Sequence, residues 1–272
     1  MSDNKKDRKF SGAGKKSFKG KKNFKKERED SGDLYAEGLS AVEEFIKAAP
    51  KKIEYIVSKG TDYDKVEALL KEHNSEQVKH HLHDEWFDSE KHISTPRAPV
   101  FAKVNIELLG EDNFFNDIVP KGNAGDLVLA LDHVQDPHNF GAIARNAAFF
   151  GVKTILIPKA RQVSLTKASV STSQGAFAYL NVVQVSNLTR AIKKLKEEQY
   201  WALGADMHGE SVEEVVGFYE KVVLVLGNEG KGLSRLVSEN CDRIVSISRE
   251  FGELESLNVS VAAGILIYRL SK

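Results

Sequence analysis

Residues 224–234 read LVLGNEGKGLS, an apolar run that stops abruptly in glycines, one glutamate and one lysine. Such a stretch is a strand running into a ligand-binding turn, and the identity of the turn separates the possible α/β folds. A phosphate-cradling Walker loop requires G-x-x-x-x-G-K-[ST]. Counting from Gly227, the second glycine falls on Gly232, but Leu233 stands where the lysine must be, and Lys231 precedes that glycine. A dinucleotide fingerprint requires G-x-G-x-x-G after the first strand. Gly230 and Gly232 begin that pattern, yet position 235 is Arg and the stretch follows a late strand. ATP hydrolysis and NAD binding are demoted on both counts. Glycines at the carboxyl end of a parallel strand also leave backbone N–H and C=O groups open to close approach, enough to read an adenine or methionyl group without a phosphate. The plainer alternative is a tight turn in which Glu229 caps the next helix.

Working outward, further apolar runs occur at 126–134, 152–158, 200–206 and 242–248, with helix-like patterns between them. Strands apolar on both faces that alternate with helices make a parallel sheet covered on both sides. The last element, NVSVAAGILIYRL, is apolar nearly all round and is expected to be buried. The chain of 272 residues suits two domains, with 41% hydrophobic residues and a mean hydropathy of −0.35 that fit a soluble protein. A single cysteine, Cys241, fits a reducing cytoplasm and excludes a cysteine-rich zinc module. No run of about 18 apolar residues exists to span a membrane, and no apolar segment of a secretory signal follows the charged N-terminus.

The zero formal net charge hides an asymmetry, because residues 1–30 carry twelve lysines and arginines against five acids. Residues 1–32 are expected to be a disordered basic tail. Phe18 and Phe24 among its lysines fit an RNA-binding arm, and a solubilising tail fits equally. Residues 33–104 alternate helix and strand as a small three-layer α/β domain, with a helix over 62–74 capped by Asp62 or Asp64, and 105–123 read as a linker or edge segment. The run HHLHDE at 80–85 lacks metal-ligand spacing and reads as a solvated polar face, so no metal is expected.

Two more stretches bear on the turn. In 131–152 a strand ends in polar residues, and Asn139 and Gly141 introduce a helix that carries Arg145. Asn139 and Arg145 lie six residues apart, so they lean over the same strand ends only if Asn139 sits at or before the cap. An arginine on a small apolar helix suits a phosphate or carboxylate, although a surface ion pair is the ordinary role of a lone arginine. In 256–270, Ser256 and Asn258 precede the last helix and are good N-cap residues in any case. All three stretches fall where an open α/β sheet binds its ligand.

In this order, DPHNFGAIARNAAFFGV, LVLGNEGKGLS and SLNVSVAAGILIYRL resemble the three motifs of the SpoU (TrmH-like) family of RNA 2′-O-ribose methyltransferases, and KASVSTSQGAF resembles the stretch between the first two. The likeness covers about residues 124–272, and 33–104 resemble, more weakly, the substrate-binding domain that precedes the catalytic domain in many members. The resemblance implies a knotted doubly wound parallel sheet, the SPOUT trefoil knot, after a small α/β RNA-binding domain. It implies S-adenosylmethionine held by backbone groups around Leu226, Gly227, Ile247 and Leu257, and a homodimer acting in the cytoplasm with the site near its interface. Carried over by motif position, the chemistry falls to Asn139, Arg145, Glu229, Ser256 and Asn258. Structured RNA is the implied substrate, ribosomal RNA ahead of transfer RNA; a non-catalytic RNA-binding or ribosome assembly factor is the other class. No metal is implied, since the methyl donor is already activated. The chain departs from the family pattern where Ser248 replaces the usual proline after Ile247, and where 248–258 is longer and more acidic, with Glu250, Glu253 and Glu255.

Overall fold

The computed structural model of the chain describes residues 32–89, 96, 98–119, 125–160, 164–248 and 256–271. Residues 1–31 of the expected tail and the acidic run 249–255 lie outside them. Residues Ser31–Lys272 form one compact unit containing two sheets.

The first sheet is built from β1 (Leu34–Glu37), β2 (Ile53–Ser58), β3 (Lys79–Leu82) and β4 (Val100–Val104), in the order β1-β4-β2-β3. On one face it carries α1 (Leu39–Ala48) and α2 (Gly60–Glu72), whose Phe45, Ile46, Val66 and Leu70 are buried with Ala36, Ile56 and Ala102. The other face gathers Tyr35, Val57 and Phe101, with Tyr55 and with Trp86 from α3 (His83–Ser89). The spacing of buried residues in α1 is the helical period read in the sequence. The cap expected at Asp62 or Asp64 is not formed. Instead α2 begins at Gly60 behind Lys59, because the Lys59 N–H is tied to the Pro99 carbonyl at 2.9 Å and its own carbonyl accepts the first helical N–H groups. Asp62 lies inside the first turn and pairs with Lys65 at 2.8 Å. The run at 80–85 is not simply a solvated face either. His80 is buried between Glu67 (2.6 Å) and Ser58 (2.7 Å) and stacks on Tyr63, and burial lowers its pKa.

The second sheet has seven strands, all paired in parallel: β5 (Leu108–Gly110), β6 (Asp126–Leu131), β7 (Thr154–Pro158), β8 (Asn181–Val185), β9 (Trp201–Ser211), β10 (Lys221–Leu226) and β11 (Arg243–Ser246). The stretch read as linker or edge segment supplies the edge strand β5 and the short α4 (Glu111–Asn113), with a π-helical turn at Phe114–Ile118. Alternate residues of the central strands feed two cores. Leu127, Leu129, Leu131 and Leu224 face α5 (Pro137–Phe149) and α9 (Val259–Leu270). Val128, Ala130, Val223 and Val225 face α7 (Leu188–Glu197) and α8 (Arg235–Ser238). The sheet is therefore doubly wound, as the continuous apolar strands required. One expectation fails: α9 is not buried all round, since Val261 and Tyr268 are exposed, and only one stripe of the helix meets α5 and the sheet.

The strand order is β11-β9-β10-β6-β7-β8-β5. From β6 the chain moves outward through β7 and β8, then crosses to the other side for β9 and returns with β10 beside β6. The order reverses between β6 and β10, the switch point at whose strand carboxyl ends an open α/β sheet has its crevice. The first helix over this crevice, α5, packs closely on α6 (Lys167–Ser173): a Cβ added to Gly141 would stand 2.5 Å from the Ser169 carbonyl oxygen. The 3₁₀ turn Ala176–Ala178 that follows α6 then meets α1 and the turn before β2, where Lys52 Nζ donates to the Phe177 carbonyl at 3.1 Å and Tyr179 Oη to Glu44 at 2.5 Å.

Gly141→Ala is expected to destabilise the chain by about 1–3 kcal/mol, the usual cost of overpacking. Urea unfolding checks this, and an unchanged midpoint would contradict the close α5–α6 contact.

Candidate active site

The turn after β10 is closed on itself. Asn228 N–H donates to the Gly232 carbonyl at 3.0 Å and Gly232 N–H to the Asn228 carbonyl at 2.9 Å. The Asn228 side-chain oxygen accepts the N–H groups of Gly230 (3.1 Å) and Lys231 (3.2 Å). Glycine is required twice here. A Cβ on Gly227 would stand 2.3 Å from the Gly232 carbonyl carbon, and Gly232 has φ +64. The tight-turn alternative is thus correct as geometry. Its second half is not, because Glu229 caps no helix: α8 starts behind Ser234, without a side-chain cap.

Glu229 reaches across the crevice instead. Asn139 Nδ2 donates to one of its oxygens at 2.9 Å, and Asn228 Nδ2 lies 3.3 Å from the other. The Asn139 side-chain Oδ1 in turn accepts from Asn258 Nδ2 at 3.0 Å. Asn258 is the N-cap of α9, its oxygen accepting the Ser260 N–H at 2.8 Å, so one side chain both starts the helix and joins the site. A single chain of hydrogen bonds runs Asn228–Glu229–Asn139–Asn258 and links the turn after β10, the first turn of α5 and the N-cap of α9. Behind it, Asn146 Nδ2 donates to the Ser260 carbonyl at 2.9 Å and fills the space over Gly264, locking α5 to α9.

Arg145 stands apart. The N-cap of α5 is Asp136, which accepts the His138 N–H at 2.9 Å, so Asn139 lies inside the helix at its third position. Six helical positions turn the side chain by about 240°, and Arg145 points away from Asn139. Arg145 is exposed and makes no hydrogen bond or ion pair among the described residues. Glu229 does not hold Arg145; its oxygens are taken by two amides. Phe149, one turn further on the same face as Arg145, is 82% exposed.

Leu226 is buried at the end of β10, Gly227 opens the turn, and Ile247 follows β11 half-buried against the same core as Leu226. Ser256 and Leu257 lie exposed on the approach to α9. Sequence reasoning missed four nearby residues. Asp132, 2% exposed at the end of β6, accepts the Ser234 N–H at 2.6 Å and His133 Nδ1 at 2.6 Å. Asn228 Nδ2 also donates to the His133 carbonyl at 2.9 Å. Asp206 sits where residues 205–209 loop out of the β9–β11 ladder, and a Cβ on Gly232 would stand 3.1 Å from its Oδ2. The signal for Asp132, His133 and Asn228 was their place beside the motifs; Asp206 had none.

A doubly wound parallel sheet whose strand-end elements join polar side chains at its switch point defines an α/β protein with its candidate ligand site there. The chain belongs to the SpoU rRNA Methylase family, whose model matches residues 126–268. It is 41% identical over 169 residues to the 23S rRNA (guanosine-2′-O-)-methyltransferase RlmB of Xylella fastidiosa, covering 62% of this chain and 68% of that one. It is 44% identical over 146 residues to a protein of Mycolicibacterium vanbaalenii named as an uncharacterized tRNA/rRNA methyltransferase. That match covers 54% of this chain and 46% of the relative, so the chain spans about half the length of such relatives. The SpoU methyltransferase AviRb of Streptomyces viridochromogenes, in complex with AdoMet, superposes with a TM-score of 0.70 at 20% identity, over 92% of this chain and 93% of that one. The family read from the three motifs is the family of the chain, and the likeness to AviRb shows the fold.

Asn139→Asp would set a second carboxylate against Glu229, where two charges in contact are unfavourable. Faster amide hydrogen exchange in 228–232 is expected, with the sheet core unchanged; unaltered exchange in the turn would contradict the bridge.

Proposed function

We infer that the chain is an S-adenosylmethionine-dependent methyltransferase acting on a ribose 2′-hydroxyl of structured RNA, ribosomal RNA in the first place. Transfer RNA is the alternative substrate, and a non-catalytic RNA-binding assembly factor the alternative class. The observation that carries the reading is the hydrogen-bonded union of the three motif loops at the switch point. A non-catalytic factor has no need of such a union across three separate loops.

The residues present fit the cofactor. Close packing of Gly227 on Gly232 leaves backbone, not side chain, at the end of β10. The half-buried Ile247 and the half-exposed Leu257 add apolar surface suited to a neutral adenine. When bound, S-adenosylmethionine supplies a methyl group already activated as a sulfonium.

The rest is the work of the chain. Arg145, exposed and without an internal partner among the described residues, clamps an RNA phosphate and so fixes the adjacent ribose; its planar guanidinium donates hydrogen bonds and accepts none, which matches a phosphate. Asn139 orients the ribose hydroxyl from a position set by Glu229 and Asn258. Ser256 and Leu257 touch cofactor or substrate at the third loop. The C-terminal segment passes through a preceding loop as a trefoil knot, which keeps α9 and its N-cap in place.

The reading includes a homodimer. Phe149, Val261 and Tyr268 leave an apolar surface on α5 and α9, and Phe150 packs on Tyr268 beneath it. Such a surface on a small protein is an association face. Arg145 lies one turn from Phe149 on the same helix face, which supports a clamp near the interface of the proposed dimer. The first sheet and the basic N-terminal stretch hold the RNA, and the protein acts in the cytoplasm.

Labelled S-adenosylmethionine and ribosomal RNA from a strain lacking the gene test the inference. Label is expected in ribose, and Arg145→Ala is expected to lose transfer by about 100-fold or more with cofactor affinity kept. Absence of both transfer and cofactor binding in the wild-type chain would overturn it. Phe149→Asp is expected to yield monomers in sedimentation and to lose activity in parallel; an active monomer would contradict the shared interface.

A further inference from the structure

In the second sheet β9 lies between β10 and β11. On one side it runs beside β10 as far as Ala205, opposite Leu226. On the other its ladder with β11 breaks: Ile244 pairs with Gly204, yet the next residue, Val245, pairs with Glu210. Residues 205–209 therefore leave the sheet at the height of Gly227, at the strand ends where an open α/β sheet binds its ligand.

Two contacts pin this loop. A Cβ on Gly209 would stand 2.5 Å from the Ile244 carbonyl oxygen, so the chain returns tightly against β11. Ser246 Oγ then donates to the Gly209 carbonyl at 2.9 Å. Within the loop Asp206 is half-buried, and its Oδ1 accepts the His208 N–H at 3.0 Å. Its Oδ2 faces the turn after β10, where a Cβ on Gly232 would stand 3.1 Å away and glycine places no side chain over it.

Among the described residues, Asp132, Asp206 and Glu229 are the acids beside that turn. Asp132 gives one oxygen to the Ser234 N–H and the other to His133 Nδ1. Glu229 gives both of its oxygens to amides. Asp206 keeps one oxygen, Oδ2, with no hydrogen-bond or ion-pair partner among the described residues. A half-buried carboxylate oxygen without a partner has an unmet demand for donors. Its neighbours set which donors those are. Gly227 after β10 and Ile247 after β11 flank it, the positions whose backbone holds the cofactor on the reading above. A molecule that touches both lies across the exit of β9.

We propose that Asp206 binds the ribose of the cofactor, its Oδ2 accepting hydrogen bonds from the 2′- and 3′-hydroxyls of S-adenosylmethionine; this deepens the cofactor reading and rests on it. Asn139 and Arg145 belong to α5, on the β6 side of β10, where methyl transfer takes place on that reading. The nucleoside half then lies on the opposite side, over β9 and β11. The ribose that joins it to the sulfur falls at the turn, beside Asp206. A vicinal diol supplies the donors that the open oxygen lacks, and a carboxylate plays the same part for the ribose of a dinucleotide on a doubly wound sheet. Asp206 touches no reacting atom, so it selects the cofactor and takes no part in the transfer itself.

Calorimetry with S-adenosylhomocysteine, the demethylated cofactor, and its 2′,3′-dideoxy analogue tests the proposal without turnover. The wild-type chain is expected to bind the parent compound about 10-fold or more tightly than the analogue, the usual effect of hydrogen bonds to a charged group. In Asp206→Ala the parent is expected to weaken by a similar factor and the preference to shrink to within about threefold, since the two changes remove the same contact. 5′-Methylthioadenosine, which keeps the ribose and lacks the amino-acid end, is expected to weaken by the same factor as the parent. Asp206→Asn has the same shape and still accepts the His208 N–H. It is expected to weaken the parent by about fivefold or more at an unchanged urea midpoint. An undiminished preference for the parent in Asp206→Ala, or either variant binding it as tightly as wild type, overturns the assignment. So does a loss confined to S-adenosylhomocysteine with 5′-methylthioadenosine unaffected, which would put Asp206 at the ammonium group instead. A wild-type chain that binds none of the three compounds overturns the cofactor reading and this assignment together.

Discussion

The contact on which the site depends is the Asn139–Glu229 hydrogen bond, 2.9 Å long and made across ninety residues of chain. It joins a helix that begins after β6 to a turn that ends β10, the two strands between which the sheet order reverses. A crevice at such a point opens unless something spans it. Here the span is an ionised carboxylate taking amide donors on both oxygens, and Asn258 extends it to the last helix. Each link on an exposed rim contributes only about 1 kcal/mol. Their value lies in register, because side chains from three loops are held within reach of one another before any ligand arrives.

That bridge is possible only because the scaffold beneath it is tightly packed. Gly141 lets α5 sit on α6, which brings the first turn of α5 and Asn139 down to the strand ends. Gly227 and Gly232 fold the turn back so that Glu229 projects from its tip. Asn146 fills the space over Gly264 and ties α5 to α9, so that Asn258 starts its helix at the edge of the same crevice. The glycines thus serve packing and turn geometry as much as ligand approach. This sharpens what the 224–234 stretch is: a closed turn that aims one carboxylate.

Much of this was legible in the residues. Parallel strands announce themselves as unbroken apolar runs: β6, β7 and β11 lie within such runs, β10 ends in the stretch 224–234, and β9 begins in the run 200–206 but continues to Ser211. Three polar stretches at strand ends were enough to locate the crevice. What could not be read was orientation. Asn139 and Arg145 could lean over the same strand ends only with Asn139 at or before the cap, and the Asp136 cap instead puts Asn139 inside the helix and turns Arg145 away. The N-terminus of α2 was misplaced for a similar reason, since a tertiary hydrogen bond to Pro99 chose the cap over local side-chain preference. The α9 sequence, apolar nearly all round, gave no means to tell a face covered by its own chain from one left open. Asp132 and His133 lay beside the first motif, but nothing local marks the left-handed backbone of His133.

The central claim is that the three loops act as one unit. A double-mutant cycle measures this directly, with methyl transfer to RNA compared for the wild-type chain, Glu229→Ala, Asn258→Ala and the double variant. Side chains joined through Asn139 in one network are strongly non-additive, so the double variant is expected to be within about threefold of the worse single variant. Losses that multiply would show that the two side chains act independently, and would contradict the account.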